Sequence, residues 1–463
     1  MSARSLHYPA ARRMDLVETI HGQPVADPYR WLEDAKSPET TEWSTAEDQL
    51  CQEWFAGVRG RDDLRAHLEE LLPGFVGPPI VIGERRFFLR RLPGQDHAVL
   101  WVEEGGEERV LIDPNALTPD HTVTLDAWQP SLEGDLLAYQ LSEGGDEESV
   151  LRIMDVATGE IIDGPIDRMR YSPVAWLPGG DAVYYVRRLA PGEVPEGEEQ
   201  FHRRVYLHRL GTDPSLDRMV FGDDTDKTAY FGLDVARSGR WLAVTVNLGT
   251  APRNDCYLGD LAGPGGPAAP LWRTIIQGVD AQAWPALGDD DRVYLITDAD
   301  APRRRLVVAD PESPAAANWK ELIAEDPDGW VLDGVALAGD RLVALYRRHA
   351  VSRVTLHDRA SGARRGEVSL PGLGTADIVG RPDEGLEVWI GYTDHVTPYR
   401  VLHLDVTTET VTPWADPPGW TGPTVDAGQI STEQLMYQSA DGTEVRMFVI
   451  AAKRNGSERP RPA

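Results

Sequence analysis

Two periods divide the chain. From Pro38 onward, Trp43, Ala46, Leu50, Trp54 and Phe55 recur at helical spacing up to Gly57, and Leu64, Leu68, Leu71 and Leu72 repeat the pattern until Pro73-Gly74. That spacing predicts two helices, each with one apolar stripe. From about residue 83 to 413 the helical period almost vanishes. Short apolar or alternating runs replace it, punctuated by Gly, Asp and Pro, as strands and tight turns require.

Aligned with one another, these runs form a repeat. A Gly/Asp turn leads into an aromatic or β-branched strand, and a second strand follows that often ends in Asp. The seven pairs are 84–90 with 98–102, 134–139 with 150–155, 180–186 with 205–211, 239–244 with 255–261, 291–296 with 305–310, 339–345 with 353–358, and 385–390 with 399–405. A period of roughly 50 residues with several strands and no helix is the mark of a β-propeller. Seven such units exceed any single sandwich, so the expected fold is mainly β, a seven-bladed propeller behind a helical N-terminal segment.

After Pro417-Pro418 the period breaks. A strand at 432–439, a tight turn at Ala440-Asp441-Gly442-Thr443 and a strand at 444–452 predict a hairpin that belongs to no blade. The expected domains are therefore 1–75, 76–427 and 428–463. The polar, Pro-rich tail from Lys453 reads as a chain cut before its last domain is complete.

Composition narrows the functions. The 463 residues are 41% hydrophobic and 26% charged, typical of a water-soluble globular protein. No run approaches the ~18 apolar residues of a membrane span, and no signal-peptide pattern opens the chain. The net charge of −29 argues against nucleic acid and anionic membrane as partners. Cys51 and Cys256 are the only cysteines, too few for a disulfide framework or a thiolate zinc site, and they read as two buried thiols of a cytoplasmic protein.

The N-terminal wording then becomes specific. Tyr8-Pro9, His21-Gly22 and Asp27-Pro28-Tyr29-Arg30-Trp31-Leu32-Glu33-Asp34 resemble the opening of the prolyl oligopeptidase family of serine peptidases. Steps inside the propeller agree, among them Leu111-Ile112-Asp113-Pro114-Asn115-Ala116-Leu117 and Leu370-Pro371-Gly372-Leu373-Gly374-Thr375. The final hairpin, from Tyr437 to Ile450, resembles the family's entry into its hydrolase domain, so the likeness runs the length of the chain. It implies an α/β-hydrolase domain with a Ser-Asp-His triad, cleavage of short peptides after proline, and a propeller whose channel admits peptides and excludes folded proteins. It further implies that the first segment wraps the hydrolase domain, with Trp31 and Leu32 as packing anchors and Arg30 paired to a carboxylate.

The chemistry itself is not legible in these residues. The nucleophile of such a triad sits on a Gly-x-Ser-x-Gly elbow, and Ser142, Ser172, Ser361 and Ser431 all lack glycine on both sides at that spacing. His208, His357 and His403 fall on second strands of the repeat, where packing explains them. Asp223-Asp224-Thr225-Asp226 and Asp289-Asp290-Asp291 read as turn carboxylates rather than metal ligands, and neither metal nor cofactor is expected. Without the triad a serine peptidase loses about 10⁶ in rate, so the chain alone is expected to be inactive.

Four positions carry over from the family as substrate-lining: Tyr171 in the step Arg170-Tyr171-Ser172, Tyr230 and Phe231 before Gly232, and Gly259 where the family often has Cys. Ordinary blade packing is the competing explanation for each aromatic. Two functions remain. One is the gating part of a prolyl-oligopeptidase-like endopeptidase, whose partners are short peptides and a hydrolase domain, on this or another polypeptide. The other is a self-contained propeller that binds peptides or proteins. The hairpin favours the first, because a self-contained propeller has no use for it.

Overall fold

The computed structural model of the chain describes residues 6–420 and 429–453. They fall into two compact units, Met1–Leu72 and Pro73–Ala463. Among the described residues no helix is long and apolar enough to cross a membrane.

The first unit begins with a small antiparallel pair, Val17–Ile20 and Gln23–Ala26. His21 and Gly22 both take positive φ, 50° and 79°, the geometry of a two-residue hairpin turn matched to strand twist. The His21-Gly22 step is thus a turn, a role its sequence did not reveal. Helix Pro38–Ala56 is capped by Ser37, whose side chain accepts the Thr40 N–H, and Pro38 occupies the position where a missing N–H is harmless. A second helix spans Arg61–Leu71. Arg30 pairs with Glu18, with Asp27 at 2.5 Å and with Glu33 at 3.2 Å. Trp31 donates its indole N–H to the Arg12 carbonyl at 2.8 Å and meets Trp43 edge-on at 6.2 Å. Cys51, on the first helix, is exposed, which corrects the expectation of two buried thiols, whereas Cys256 is buried.

Among the described residues the second unit holds seven antiparallel sheets of four or five strands in chain order, each from one contiguous segment, and a two-stranded hairpin after them. The first sheet has five strands, Phe75–Val76, Ile80–Ile82, Arg85–Arg91, Val99–Glu104 and Glu107–Ile112. The other six are four-stranded meanders. Because Phe75 and Val76 already pair with Arg91 and Arg90, the propeller starts earlier than the expected 75/76 boundary. The expected 427/428 boundary lies outside the described residues. The seven repeat pairs read from the sequence are the second and third strands of the seven blades, Phe75–Val76 and Ile80–Ile82 both pairing with Arg85–Arg91 and together standing as the first strand of blade 1.

Period-two alternation explains the ring. In the second strand of blade 3, Ala182–Arg188, the residues Ala182, Tyr184 and Val186 pack with Phe231, Leu242 and Val244 of blade 4. The intervening Val183 and Tyr185 pack with Ala138, Leu151 and Ile153 of blade 2. One strand therefore feeds two cores, and its sequence is apolar throughout. The same division recurs at every blade junction. The ring closes without strand exchange. Trp389 and Val401 of blade 7 bury against Val76, Val81 and Phe88 of blade 1, and the Gly74 N–H donates to the Pro418 carbonyl at 2.7 Å.

Beyond blade 7, Ile430–Gln438 and Glu444–Ala452 pair in full register into an isolated hairpin. It touches the ring through the Gln434 amide, which donates to the His349 carbonyl at 2.6 Å, and through Phe448, whose ring lies 4.7 Å from that of His395.

Candidate functional site

Antiparallel meanders place the start of each first strand, and each turn between second and third strands, on the same face of the ring. Tyr171 precedes the first strand of blade 3, Val174–Trp176, and Tyr230 lies at the start of that of blade 4, Ala229–Val235. Glu147 sits in the second-to-third turn of blade 2, and Arg203 opens the third strand of blade 3, Arg203–Arg209. His349 and His395, which hold the final hairpin, occupy the matching turns of blades 6 and 7. The hairpin and the candidate residues thus share one face.

The loop before blade 3 is held in an unusual conformation. Tyr171 has a φ of 53°, in the left-handed region that costs an L residue conformational energy. Its hydroxyl donates to a carboxylate oxygen of Glu147 at 2.6 Å, and Arg170 donates to the same oxygen at 2.6 and 3.2 Å. Those donors hold the Glu147 carboxyl below its ordinary pKa, and the carboxylate in turn raises that of the Tyr171 hydroxyl. Below the loop, the buried Gln140 amide donates to the Ser172 carbonyl at 2.7 Å. The Tyr171 ring is 55% exposed and meets Tyr230 edge-on at 6.2 Å. Arg203 lies under Tyr230, its guanidinium carbon 4.2 Å from the ring centroid.

Of the four residues expected to line a substrate, the structure brings Tyr171 and Tyr230 together and separates the other two. Phe231, one residue along an extended strand, points to the opposite side. It is buried in the core between blades 3 and 4, 6.0 Å from Phe221, so it is a core residue and not a lining one. Gly259 lies in the third strand of blade 4, opposite Leu242 and Trp272. A Cβ there would stand 2.9 Å from Pro270 and 3.0 Å from the Trp272 ring. Its bareness makes room for Trp272.

The first strands carry a feature that the sequence reading missed. Leu125-Asp126, Leu233-Asp234, Leu332-Asp333 and Ala376-Asp377 repeat an aspartate in four of the seven first strands. Asp333 is met by Arg347 at 2.9 Å and Arg304 at 3.4 Å, Asp126 by the Ser149 hydroxyl at 2.6 Å, and Asp377 by the Tyr399 hydroxyl at 3.0 Å. Asp234 receives one N–H, from Leu287, at 3.3 Å. It opens on a cavity of about 190 Å3 walled by Gly232, Leu233, Thr245, Trp284 and Pro285. Neighbouring protein pushes its carboxyl pKa up, although part of its surface remains accessible.

Residues 8–417 match the family described as "Prolyl oligopeptidase, N-terminal beta-propeller domain". The chain is 30% identical to a prolyl endopeptidase of Elizabethkingia meningoseptica over 96% of its own length and 61% of that protein's. It is 28% identical to a prolyl endopeptidase of Elizabethkingia miricola, over 97% and 62% respectively. A solved structure from a study of two prolyl endopeptidases superimposes with a TM-score of 0.84 at 33% identity, covering 96% of this chain and 64% of that one. Prolyl oligopeptidase B from Galerina marginata shares the fold, with a TM-score of 0.81 at 20% identity over 96% of this chain and 65% of that one. The chain thus spans about three-fifths of the length of the curated relatives it matches.

Proposed function

Because the chain belongs to the prolyl oligopeptidase family, through that family's N-terminal β-propeller domain, we propose that it is the substrate-gating part of a serine-type endopeptidase that cleaves short peptides after proline. One observation carries this reading. The Tyr171–Tyr230 pair and the apolar hairpin Ile430–Ala452 lie on the same face of the ring. A hydrolase domain seated there, on this polypeptide or another, would cover the hairpin and bring its reacting groups over the two tyrosines. The hairpin has the surface such a neighbour needs, with Leu435, Met436, Tyr437, Met447 and Ile450 all exposed. A lid of this kind admits peptides through a narrow channel and keeps bulk water from the reacting bond.

In this reading Tyr171 and Tyr230 contact bound peptide, and catalysis belongs to residues of the hydrolase domain. The free thiols Cys51 and Cys256 suit a reducing cytoplasm. The acidic balance suits neither nucleic acid nor an anionic membrane as partner. A self-contained binding propeller is the second reading, and it leaves the hairpin's apolar surface unexplained.

Titration calorimetry of the chain with acetyl-Gly-Pro-amide tests the lining role. Aromatic contacts are worth about 0.5–1.5 kcal/mol, so Tyr171→Ala is expected to weaken binding about 2- to 13-fold while the fold persists. Unchanged affinity would remove Tyr171 from the site.

A further inference from the structure

Arg203 is a buried cation without a counter-ion. The chain has 75 Asp and Glu against 46 Lys and Arg, and three arginines near Arg203 have found their carboxylates, while the buried Arg204 makes no ion pair among the described residues and donates to the Arg203 carbonyl. Arg170 takes Glu147, Arg187 takes Asp167 and Arg188 takes Glu148. Arg203 is only 2% exposed, yet among the described residues no carboxylate lies within ion-pair distance of it. Its Nε donates to the Arg170 carbonyl at a long 3.4 Å, and its Nη1 is buried with no hydrogen-bond partner among the described residues.

A guanidinium cannot escape this by losing its proton. Burial lowers its pKa, and the charges of Arg188 and Arg170 add to that, against a favourable contribution from Tyr230. The Tyr230 face returns part of the lost solvation through a cation–π contact. The ring face offers no acceptor to the in-plane N–H groups, and a buried charge with no ion partner and one long hydrogen bond is disfavoured. In an acidic protein, such a group is accounted for by an anion that arrives from outside.

We propose that Arg203, beneath the Tyr171–Tyr230 pair, is a subsite for a carboxylate of the bound peptide, an acidic side chain or an acyl-type carboxylate on the N-terminal side of the proline. The local chemistry already suits that group. In the same cluster, the Glu147 carboxylate is held by the Arg170 guanidinium and the Tyr171 hydroxyl. Tyr171 and Tyr230 would flank the peptide, while Arg203 reads its charge through a planar, charge-assisted fork. The consequence is a preference that the net charge of −29 would not suggest, for peptides with a negative group at this position. The assignment of the ligand as a peptide rests on the function proposed above. The anion site itself does not.

Two probes separate the two ideas. Succinate, a free dicarboxylate, tests the anion site alone. Succinyl-Gly-Pro-amide against acetyl-Gly-Pro-amide tests the peptide context. Calorimetry on the native chain is expected to show saturable succinate binding and at least tenfold tighter binding of the succinyl than of the acetyl peptide. Arg203→Gln is expected to abolish succinate binding and the preference for the succinyl over the acetyl peptide. Its urea midpoint should stay at or above that of the native chain, because the substitution removes an uncompensated buried charge. If Arg203→Gln does not fold, Arg203→Lys, which keeps the charge and loses the fork, should retain succinate binding with a preference reduced several-fold. Succinate that fails to bind the native chain, or a succinyl preference that survives Arg203→Gln, overturns the subsite. Succinate binding without any peptide binding keeps the anion site and overturns the peptide-gating function.

Discussion

Two strands in this molecule use the same chemistry and meet different fates. In the middle of blade 3, Ala182–Arg188 runs Ala-Val-Tyr-Tyr-Val, and each of those five side chains is no more than 1% exposed. In the hairpin, Glu444–Ala452 runs Met-Phe-Val-Ile through its centre, yet Met447 and Ile450 are exposed and Phe448 and Val449 are only half-buried. Apolar residues on both faces of a strand are what two-sided burial asks for. The blade strand finds a neighbour on each side. The hairpin carries the same residue pattern with little to cover it. Local sequence therefore dictates the strand, and the covering element decides whether its apolar faces stabilise the fold.

The largest expected effects lie on the covered side of that comparison. Tyr184 fills the junction of blades 3 and 4 and donates its hydroxyl to the Pro267 carbonyl at 2.7 Å. Tyr184→Ala is expected to cost about 4 kcal/mol in urea unfolding, by lost burial and the cavity left behind. The matching change on the bare side, Leu435→Ser, is expected to fall within about 0.5 kcal/mol. Equal losses at both sites would mean that the hairpin face is covered after all.

The next effect is electrostatic and sits in the third strand of blade 3. His208 is fully buried between Asp217, at 2.8 Å, and Asp163, at 3.3 Å. Burial opposes its charge, but the two carboxylates win and its pKa is raised. The native state therefore holds this proton to higher pH than the unfolded chain, whose histidines titrate near about 6.5. The stabilisation from His208 is complete below that value and is lost as pH rises through the native pKa. His208→Gln is expected to cost about 3 kcal/mol at pH 6 and to remove that alkaline loss, as urea midpoints from pH 6 to 9 would show. His357, on the third strand of blade 6, makes the contrast. Its ring faces the Thr355 hydroxyl and the Gly362 carbonyl, and burial and nearby arginines push its pKa down.

Legibility followed the same division between covered and bare. The second and third strands of every blade could be read because two-sided burial makes them continuous apolar runs. The outer fourth strands, such as Ile161–Ile166 and Arg364–Val368, carry mixed and polar residues because one edge faces water, and they gave no comparable signal. Both N-terminal helices were legible from their stripes and from Pro38, while the Ser37 cap was found only in the structure. The site was legible only as far as Tyr171 and Tyr230. Phe231 was assigned to it because adjacent residues look alike in a sequence, while the pleat sends them to opposite sides. Arg203 gave no sign at all. A basic pair at a strand start looks ordinary until its partners are found to be missing. The aspartates of the first strands did repeat, and an alignment of blades on their first strands would have exposed them.

The smallest effect is chemical. Burial pushes the Cys256 thiol pKa up to about 12, and its Sγ donates to the Ala283 carbonyl at 3.2 Å, whereas Cys51 is exposed. One thiol per chain is expected to react rapidly with a disulfide reagent under native conditions and a second only in denaturant. Two fast thiols would show that the junction of blades 4 and 5 opens readily.

The proposal most worth testing is that this chain gates peptide cleavage while a hydrolase domain performs it. Hydrolysis of a chromogenic Gly-Pro anilide by the purified chain tests it most directly. The expected result is no turnover above the uncatalysed rate, because no serine here sits on a Gly-x-Ser-x-Gly elbow. Turnover that a serine-directed inhibitor blocks would contradict the account.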